Sequence, residues 1–111
     1  MGRAPAESEL LPGTLNLLIL ETLRAGPRRG YGIARHIRQR TEEVLRVEEG
    51  SLYPALQRLL QGWVTAAWRM SETKRRARYY ALTAAGRKQL GIEASSLERM
   101  VAAIGRVLRP V

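Results

Sequence analysis

GSLYPALQRLLQGW, residues 50–63, has the hydrophobic spacing of a short amphipathic helix with a proline near its start. Apolar side chains recur at helical period, at Leu52, Leu56, Leu59, Leu60 and Trp63. We interpret Ser51 as the N-cap, which places Pro54 in the first turn, where an amide has no acceptor inside the helix. At about 100° per residue, the opposite face carries Ser51, Pro54, Gln57, Arg58 and Gln61, with Tyr53 at its edge. Such side chains can bond base edges and phosphates.

The composition indicates a partner that is a polyanion. The chain has 111 residues, which suits one small domain, and its 19 Lys and Arg against 10 Asp and Glu give a net charge of +9. A charge excess of this size attracts nucleic acid but does not indicate a fold. Double-stranded DNA is therefore a candidate partner, and the sequence motifs must show whether the chain has a DNA-binding fold.

Several classes of site are excluded or disfavoured by residue content. There is no cysteine, which excludes disulfides, thiolate nucleophiles and zinc–thiolate sites, and His36 is the only histidine. No nucleophile–base set or paired carboxylates stand out, so we expect no enzyme, metal site or cofactor. The start lacks an apolar leader, and the longest apolar stretch, residues 15–20, is too short to span a membrane. We therefore predict a cytoplasmic protein without a membrane partner.

The order of predicted elements is helix, helix, helix, hairpin, helix. Residues 1–11 are predicted to be a flexible arm, and the first two helices to cover residues 15–25 and 30–44. Residues 28–40 hold five arginines and no acid. The third helix is the quoted stretch. Short aromatic and β-branched runs at 63–70 and 77–83 predict an antiparallel hairpin with a basic tip, and Thr83 is the predicted N-cap of the last helix.

The last helix carries an apolar seam in heptad spacing. Its residues follow at intervals of 4, 3, 4, 3 and 4, and they are Leu90, Ala94, Leu97, Val101, Ile104 and Leu108. A seam this wide either returns to the core of its own chain or covers a second subunit. We favour a homodimer, because the first helix is already needed by the three-helix core.

Three blocks of the sequence carry a family resemblance. RGYGIARHI (29–37), EGSLYPALQRLLQGWV (49–64) and RRARYYALTAAGRKQL (75–90) resemble the signature blocks of the PadR family of bacterial transcriptional regulators, and the similarity spans roughly residues 12–109. The resemblance implies a mainly α fold with a small β-hairpin: a winged helix–turn–helix over 12–83 and one C-terminal dimerisation helix over 84–111.

Site residues follow from the family pattern and from the residues themselves. The resemblance assigns the start of the recognition helix, the opening of the second helix and the wing to DNA. With neighbouring cations included, the predicted DNA-binding residues are Arg29, Tyr31, Gly32, Ser51, Tyr53, Pro54, Gln57, Arg58, Lys74, Arg75, Arg76 and Arg78. Arg29 stands where many relatives have histidine, and Leu97 stands where a tryptophan is expected, so the last helix has no aromatic residue to stack a planar effector.

Three functions are weighed on this pattern. The first is a dimeric repressor that binds an inverted-repeat operator, with release by a small-molecule effector left open. The second is a winged-helix module that binds protein instead of DNA, for which four acids before the recognition helix speak, at positions 42, 43, 48 and 49. The third, an enzyme, is disfavoured by the absence of a catalytic set. A salt-dependent gel shift separates the first two.

Overall fold

The computed structural model describes residues 13–109, which contain four helices and three strands. The predicted flexible arm, residues 1–11, lies outside the described residues. The elements are α1 (Thr14–Leu23), β1 (Arg28–Arg29), α2 (Gly30–Arg40), α3 (Glu49–Leu59), β2 (Val64–Met70), β3 (Arg76–Leu82) and α4 (Ala84–Leu108). A mainly helical fold with a small antiparallel sheet confirms the predicted fold class.

Helix α1 forms the centre of the hydrophobic core, as its leucine-rich sequence predicts. A helix that is apolar on nearly every side must be covered on nearly every side, and α1 packs against α2, α3 and α4. The core residues with almost no exposed surface are Ile19, Leu20, Leu23, Ile33, Leu52, Leu56, Leu59 and Val64. The apolar face of the quoted stretch is therefore buried, and its polar face is left outside.

Helix α2 ends at Arg40, so the prediction that it continues to residue 44 is wrong. Glu42 and Glu43 adopt left-handed backbone conformations, with φ of 52° and 71°, which a helix cannot contain. The amide of Glu43 reaches back to the Arg38 carbonyl at 2.9 Å. The Thr41 hydroxyl donates to the Ile37 carbonyl at 2.8 Å and accepts from the Leu45 amide at 3.1 Å. These bonds close the helix without glycine, the usual sequence signal for such an end.

Helix α3 begins earlier than predicted, and the role given to Ser51 is wrong. The N-cap is Glu48, whose carbonyl accepts from the amides of Ser51 and Leu52 at 3.0 and 2.9 Å. Pro54 therefore lies inside the helix, where its missing amide would otherwise have bonded the Gly50 carbonyl. Gly50 is exposed, so water can take that position. The proline does not mark the helix start.

The hairpin is confirmed, and a third strand joins it. β2 and β3 pair antiparallel from Val64 opposite Leu82 to Met70 opposite Arg76. β1 pairs with the other edge of β3, which gives the strand order β1-β3-β2. β1 is not predicted from the sequence, because two arginines carry no strand pattern. We call residues 64–82, the β2–β3 hairpin, the wing.

Thr83 caps α4, as predicted, and also joins it to the end of α3. Its hydroxyl oxygen accepts from the Gly86 amide at 2.9 Å and the hydroxyl donates to the Gly62 carbonyl at 2.7 Å. Its amide donates to the Trp63 carbonyl at 3.0 Å. A Cβ on Gly86 would overlap the Trp63 carbonyl oxygen. The Leu-Thr-x-x-Gly pattern thus encodes a close joint between α4 and the start of the wing.

The seam of α4 divides into a covered and an uncovered part. Leu90 is 4% exposed in the core of its own chain, and Ala94 and Leu97 are half-buried against that core. Leu90 therefore packs into its own chain, and its prediction as a dimer-interface residue is wrong. Further along, Val101 and Ile104 are 59% and 49% exposed, and Leu108 is exposed as well. No helix within residues 13–109 is long and apolar enough to cross a membrane.

Candidate nucleic-acid interface

A cleft of about 430 Å³ lies between the start of α2, the outer side of α3 and the wing. We call it the interface cleft. Five predicted DNA-binding residues line it, and they are Arg29, Tyr31, Tyr53, Gln57 and Arg78. The remaining lining residues are Gly30, Leu56, Leu60, Trp68, Ala77 and Tyr80. The described residues of this lining include no acid, so the cleft combines aromatic surface with positive charge.

Helix α2 opens onto this cleft with its amides uncapped by a side chain. Its N-cap is Arg29, which makes no side-chain capping bond, and its first turn contains no acid. The first amides of a helix lack partners inside it and carry the positive end of the helix dipole. The start of α2 therefore favours an anion such as phosphate. Tyr31, an exposed residue in this turn, offers a hydroxyl beside it.

Tyr53 packs over the start of α2, and this contact explains Gly30. A Cβ on Gly30 would lie 2.7 Å from the Tyr53 hydroxyl oxygen, closer than such atoms approach. At Gly32, by contrast, a Cβ would make an ordinary contact with Arg28. Burial raises the pKa of the Tyr53 phenol, and the charge of Glu49 and the neighbouring Tyr80 add to the effect. Tyr53 stays a neutral hydroxyl, able to donate a hydrogen bond.

The outer face of α3 presents its predicted residues unevenly. Tyr53, Pro54, Gln57 and Arg58 are exposed, whereas Ser51 is half-buried. Gln57 lies in the interface cleft, and Pro54 and Arg58 lie outside its lining. The side-chain amide of Gln57 can pair with adenine through two hydrogen bonds. Among the predicted residues of α3, Gln57 is thus placed best to read a base, which stays a prediction.

The tip of the wing is a closed turn that carries cations outward. The Ser71 amide donates to the Arg75 carbonyl at 2.8 Å, and the Lys74 amide donates to the Ser71 carbonyl at 2.9 Å. The Ser71 hydroxyl oxygen accepts from the Arg75 amide at 3.1 Å and bonds the Thr73 hydroxyl at 3.0 Å. Lys74 takes the left-handed conformation, with φ of 61°. The exposed cations are Lys74, Arg75, Arg76 and Arg78.

Three wing arginines stack on aromatic rings. The guanidinium of Arg69 lies 4.6 Å from the centre of the Tyr79 ring, and that of Arg76 lies 4.9 Å from the Trp68 ring. Arg78 lies 5.7 Å from the Tyr80 ring. Trp68 and Arg69 were not predicted as site residues, because nothing in the sequence of a short strand shows which residues of the next strand lie beside them. The pairing of β2 with β3 is what brings these groups together.

The acids before α3 are partly neutralised. Glu43 forms ion pairs with Arg38 and Arg46 at 3.1 and 3.4 Å. Both pairs are exposed, so they add little stability. They border an open depression between α2 and α3 that also contains Glu48 and Glu49 and adjoins the interface cleft at Tyr31 and Tyr53. The acidic surface therefore begins beside the interface cleft, and no acid lies in the described lining of the cleft itself.

A family model for the transcriptional regulator PadR-like family matches residues 19–92. The match covers the second half of α1, all of α2 and α3, the whole wing and the start of α4. The chain belongs to the PadR-like family of transcriptional regulators. This is a family of regulators and not of enzymes. A search of curated proteins by sequence finds no match.

Solved structures agree with this PadR-like fold. A transcriptional regulator from Clostridium thermocellum has 30% identity and a TM-score of 0.79, over 87% of this chain and 92% of that one. A PadR family transcription regulator from Clostridium difficile has 27% identity and a TM-score of 0.76, over 87% and 100%. Bacillus subtilis PadR, solved in complex with operator DNA, has 27% identity and a TM-score of 0.64, over 72% and 46%.

Proposed function

We propose that this PadR-like regulator binds double-stranded DNA at specific sequences, as a homodimer, and represses transcription from an inverted-repeat operator. One observation carries the proposal. The start of α2, the outer face of α3 and the wing meet at a single cleft whose described lining has cations, amide and hydroxyl groups but no acid. That Bacillus subtilis PadR is known in complex with operator DNA supports DNA as the partner.

The proposed DNA contacts of α2, α3 and the wing follow from the chemical groups that each element presents. The uncapped start of α2 and the Tyr53 hydroxyl suit phosphate oxygens, which fix the position of a protein on the duplex. Gln57 suits a base edge in the major groove. The cations of the wing suit phosphate or the neighbouring minor groove. Binding would thus combine a sequence-blind contribution with base reading by α3.

A homodimer would cover the outer part of the α4 seam. Met100, Val101, Ile104, Val107 and Leu108 are all exposed in the single chain. Exposed apolar surface of this extent on one helix is typical of an interface. A twofold dimer would place two copies of α3 on successive turns of one duplex face, about 34–36 Å apart or a multiple of that distance, which suits an inverted repeat.

The composition of α4 limits the kind of small-molecule effector that could release the regulator from DNA. α4 carries no aromatic residue between Ala84 and Leu108. A planar effector would therefore find no ring of α4 to stack on, and an effector acting there would have to bind through aliphatic contacts.

Binding-site selection from random duplexes tests the proposal. The wild-type protein should enrich an inverted repeat. Gln57→Ala should cost about 1–3 kcal/mol on that site and relax the preference at one symmetric position. Gln89→Ala is the matched control, because Gln89 lies on α4, outside the interface cleft, and it should leave the consensus unchanged.

The two outcomes that contradict the proposal are distinct. An unchanged consensus with Gln57→Ala would remove Gln57 from the reading face. Failure of the wild-type protein to bind any duplex at low salt would contradict DNA binding and favour the protein-interaction module instead.

A further inference from the structure

Trp68 is a large apolar residue that the wing leaves exposed. Its exposed fraction is 57%, and it lies near the middle of β2. Its ring is part of the lining of the interface cleft. Burial in the core of its own chain therefore does not account for a tryptophan at this position, and its neighbours across the sheet offer another explanation.

Trp68 is part of a row of alternating arginines and aromatic rings on one face of the wing. Arg78 is its direct register partner on β3, and Arg76, two residues nearer the tip, lies over its ring at 4.9 Å. Diagonal partners on neighbouring strands lie within reach of long side chains. Arg78 in turn lies 5.7 Å from the ring of Tyr80, which is only 5% exposed. The row therefore runs from the wing tip to a ring fixed in the core.

Stacking leaves the hydrogen-bonding groups of these arginines available. A ring takes one flat side of the guanidinium group, whereas the five N–H donors point outward in the plane. A free arginine on a hairpin loses much rotational freedom when it binds a ligand. An arginine that already rests on a ring has lost part of that freedom beforehand. Stacked arginines are thus prepared to bind phosphate oxygens in a fixed orientation.

We propose that Trp68 is a positioning residue for DNA binding: its indole ring holds Arg76 in the orientation in which this arginine contacts the duplex beside the site of α3. The inference rests on the proposed function and extends it to a residue without charge. It also separates two contributions of the wing to DNA affinity: the number of its positive charges, and the fixed orientation of the arginines that carry them.

The two contributions respond differently to substitution. Trp68→Ala removes no charge, so the slope of log K against log salt should stay as in the wild type, while operator affinity falls about 2- to 5-fold per wing. Arg76→Ala should lower the affinity and also flatten the slope by about 0.9 for each phosphate that is no longer neutralised. Trp68→Phe keeps a ring and should restore most of the affinity.

A double-mutant cycle on operator DNA is the decisive experiment. In the Arg76→Ala, Arg78→Ala background, Trp68→Ala should have no further effect, because no arginine remains for it to hold. Trp68→Leu, which keeps apolar bulk without an aromatic ring, should behave as Trp68→Ala does. Thermal unfolding of each variant, followed by circular dichroism, verifies that the wing variants remain folded.

Three results would overturn the inference. The first is wild-type affinity in both Trp68→Ala and Trp68→Leu. The second is a loss as large in the arginine-free background as in the wild type, which would mean that the ring acts on its own. The third is an absence of DNA binding by the wild-type protein, which contradicts the proposed function as well. The first two contradict this inference alone.

Discussion

Gly86 determines how closely α4 approaches the chain that leads from α3 into the wing. We expect Gly86→Ala to lower the free energy of unfolding by about 1–3 kcal/mol, because its Cβ would overlap the Trp63 carbonyl oxygen, a main-chain atom that cannot move aside. Urea denaturation at one fixed protein concentration measures the change.

Gly91→Ala, on the same helix, is the control. A Cβ there would meet no atom within 4 Å, so alanine should stabilise α4 by up to about 1 kcal/mol. Equal changes in the two variants would show that helix propensity, and not the close approach, determines the effect at Gly86.

His36, the single histidine of the chain, gives a dependence of stability on pH. Burial lowers its pKa below the ordinary 6.5, and the charges of Arg28 and Arg40 lower it further, against a smaller opposite effect of Glu21. The folded state then binds a proton less readily than the unfolded state. The stability that His36 contributes is therefore present above about pH 6.5 and is lost as the pH falls through the pKa of the folded state.

His36→Gln should accordingly flatten the fall of the melting temperature between about pH 7.5 and pH 5. Parallel melting curves of the two proteins in the same buffers measure this. An identical pH dependence in both would assign the fall to other groups.

Single residues also show what the sequence could and could not reveal of the site. Gln57 and the wing cations were visible because their chemistry alone suggests a use. Gly30 was not, because its role is to leave room for Tyr53, a residue of another helix. Trp68 was missed for a similar reason. Its partner Arg76 lies on the neighbouring strand, and only the register places them together.

Elements with a local signal were predicted well, and elements that end by unusual means were not. The wing and the start of α4 carried alternation and a capping threonine, which act over a few residues. The end of α2 relies on two acids in left-handed conformations, and α3 contains a proline in its interior. Sequence rules treat both as rare, because each costs free energy that the surrounding structure must offset.

The outer half of α4 yields a prediction about assembly. Val101→Glu together with Ile104→Glu should convert the proposed dimer to monomer and weaken operator binding, because both side chains are exposed on the seam and would bring like charges together across a twofold axis. Light scattering measures the mass in solution. We prefer this pair to any change at Leu97, which packs against the core of its own chain.

Ala102→Glu serves as the control, because residue 102 is exposed on the opposite side of α4 and should leave the mass unchanged. A dimer that survives the double substitution would exclude this seam as its interface.

For the molecule as a whole, the distribution of charge matters more than the net value of +9. Arg75→Ala together with Arg76→Ala should weaken binding to operator and random DNA alike, and should reduce the slope of log K against log salt by about 0.9 for each phosphate that each subunit no longer neutralises. Titrations at several salt concentrations give the slope.

Arg99→Ala together with Arg106→Ala removes the same charge from exposed positions on α4. If the slope of log K against log salt depends on cations that lie close to DNA, this control pair should leave the slope close to that of the wild type. Equal slopes in the two double variants would mean that the wing acts only through the total charge.

The hydrogen bonds of Thr83 fix one end of α4, so a tilt of this helix moves its other end the most. Two hydrogen bonds join Thr83 to the carbonyls of Gly62 and Trp63, and a third caps the first turn of α4, so the start of α4 is fixed to the segment between α3 and the wing. The helix has 25 residues and is about 37 Å long, so a tilt of about 5° moves its far end by about 3 Å. In a dimer paired through α4, a small change in the crossing of the two helices would alter the separation of the two recognition helices. In such a dimer, a molecule bound between the two α4 helices would change the distance between the recognition helices without any flexible hinge.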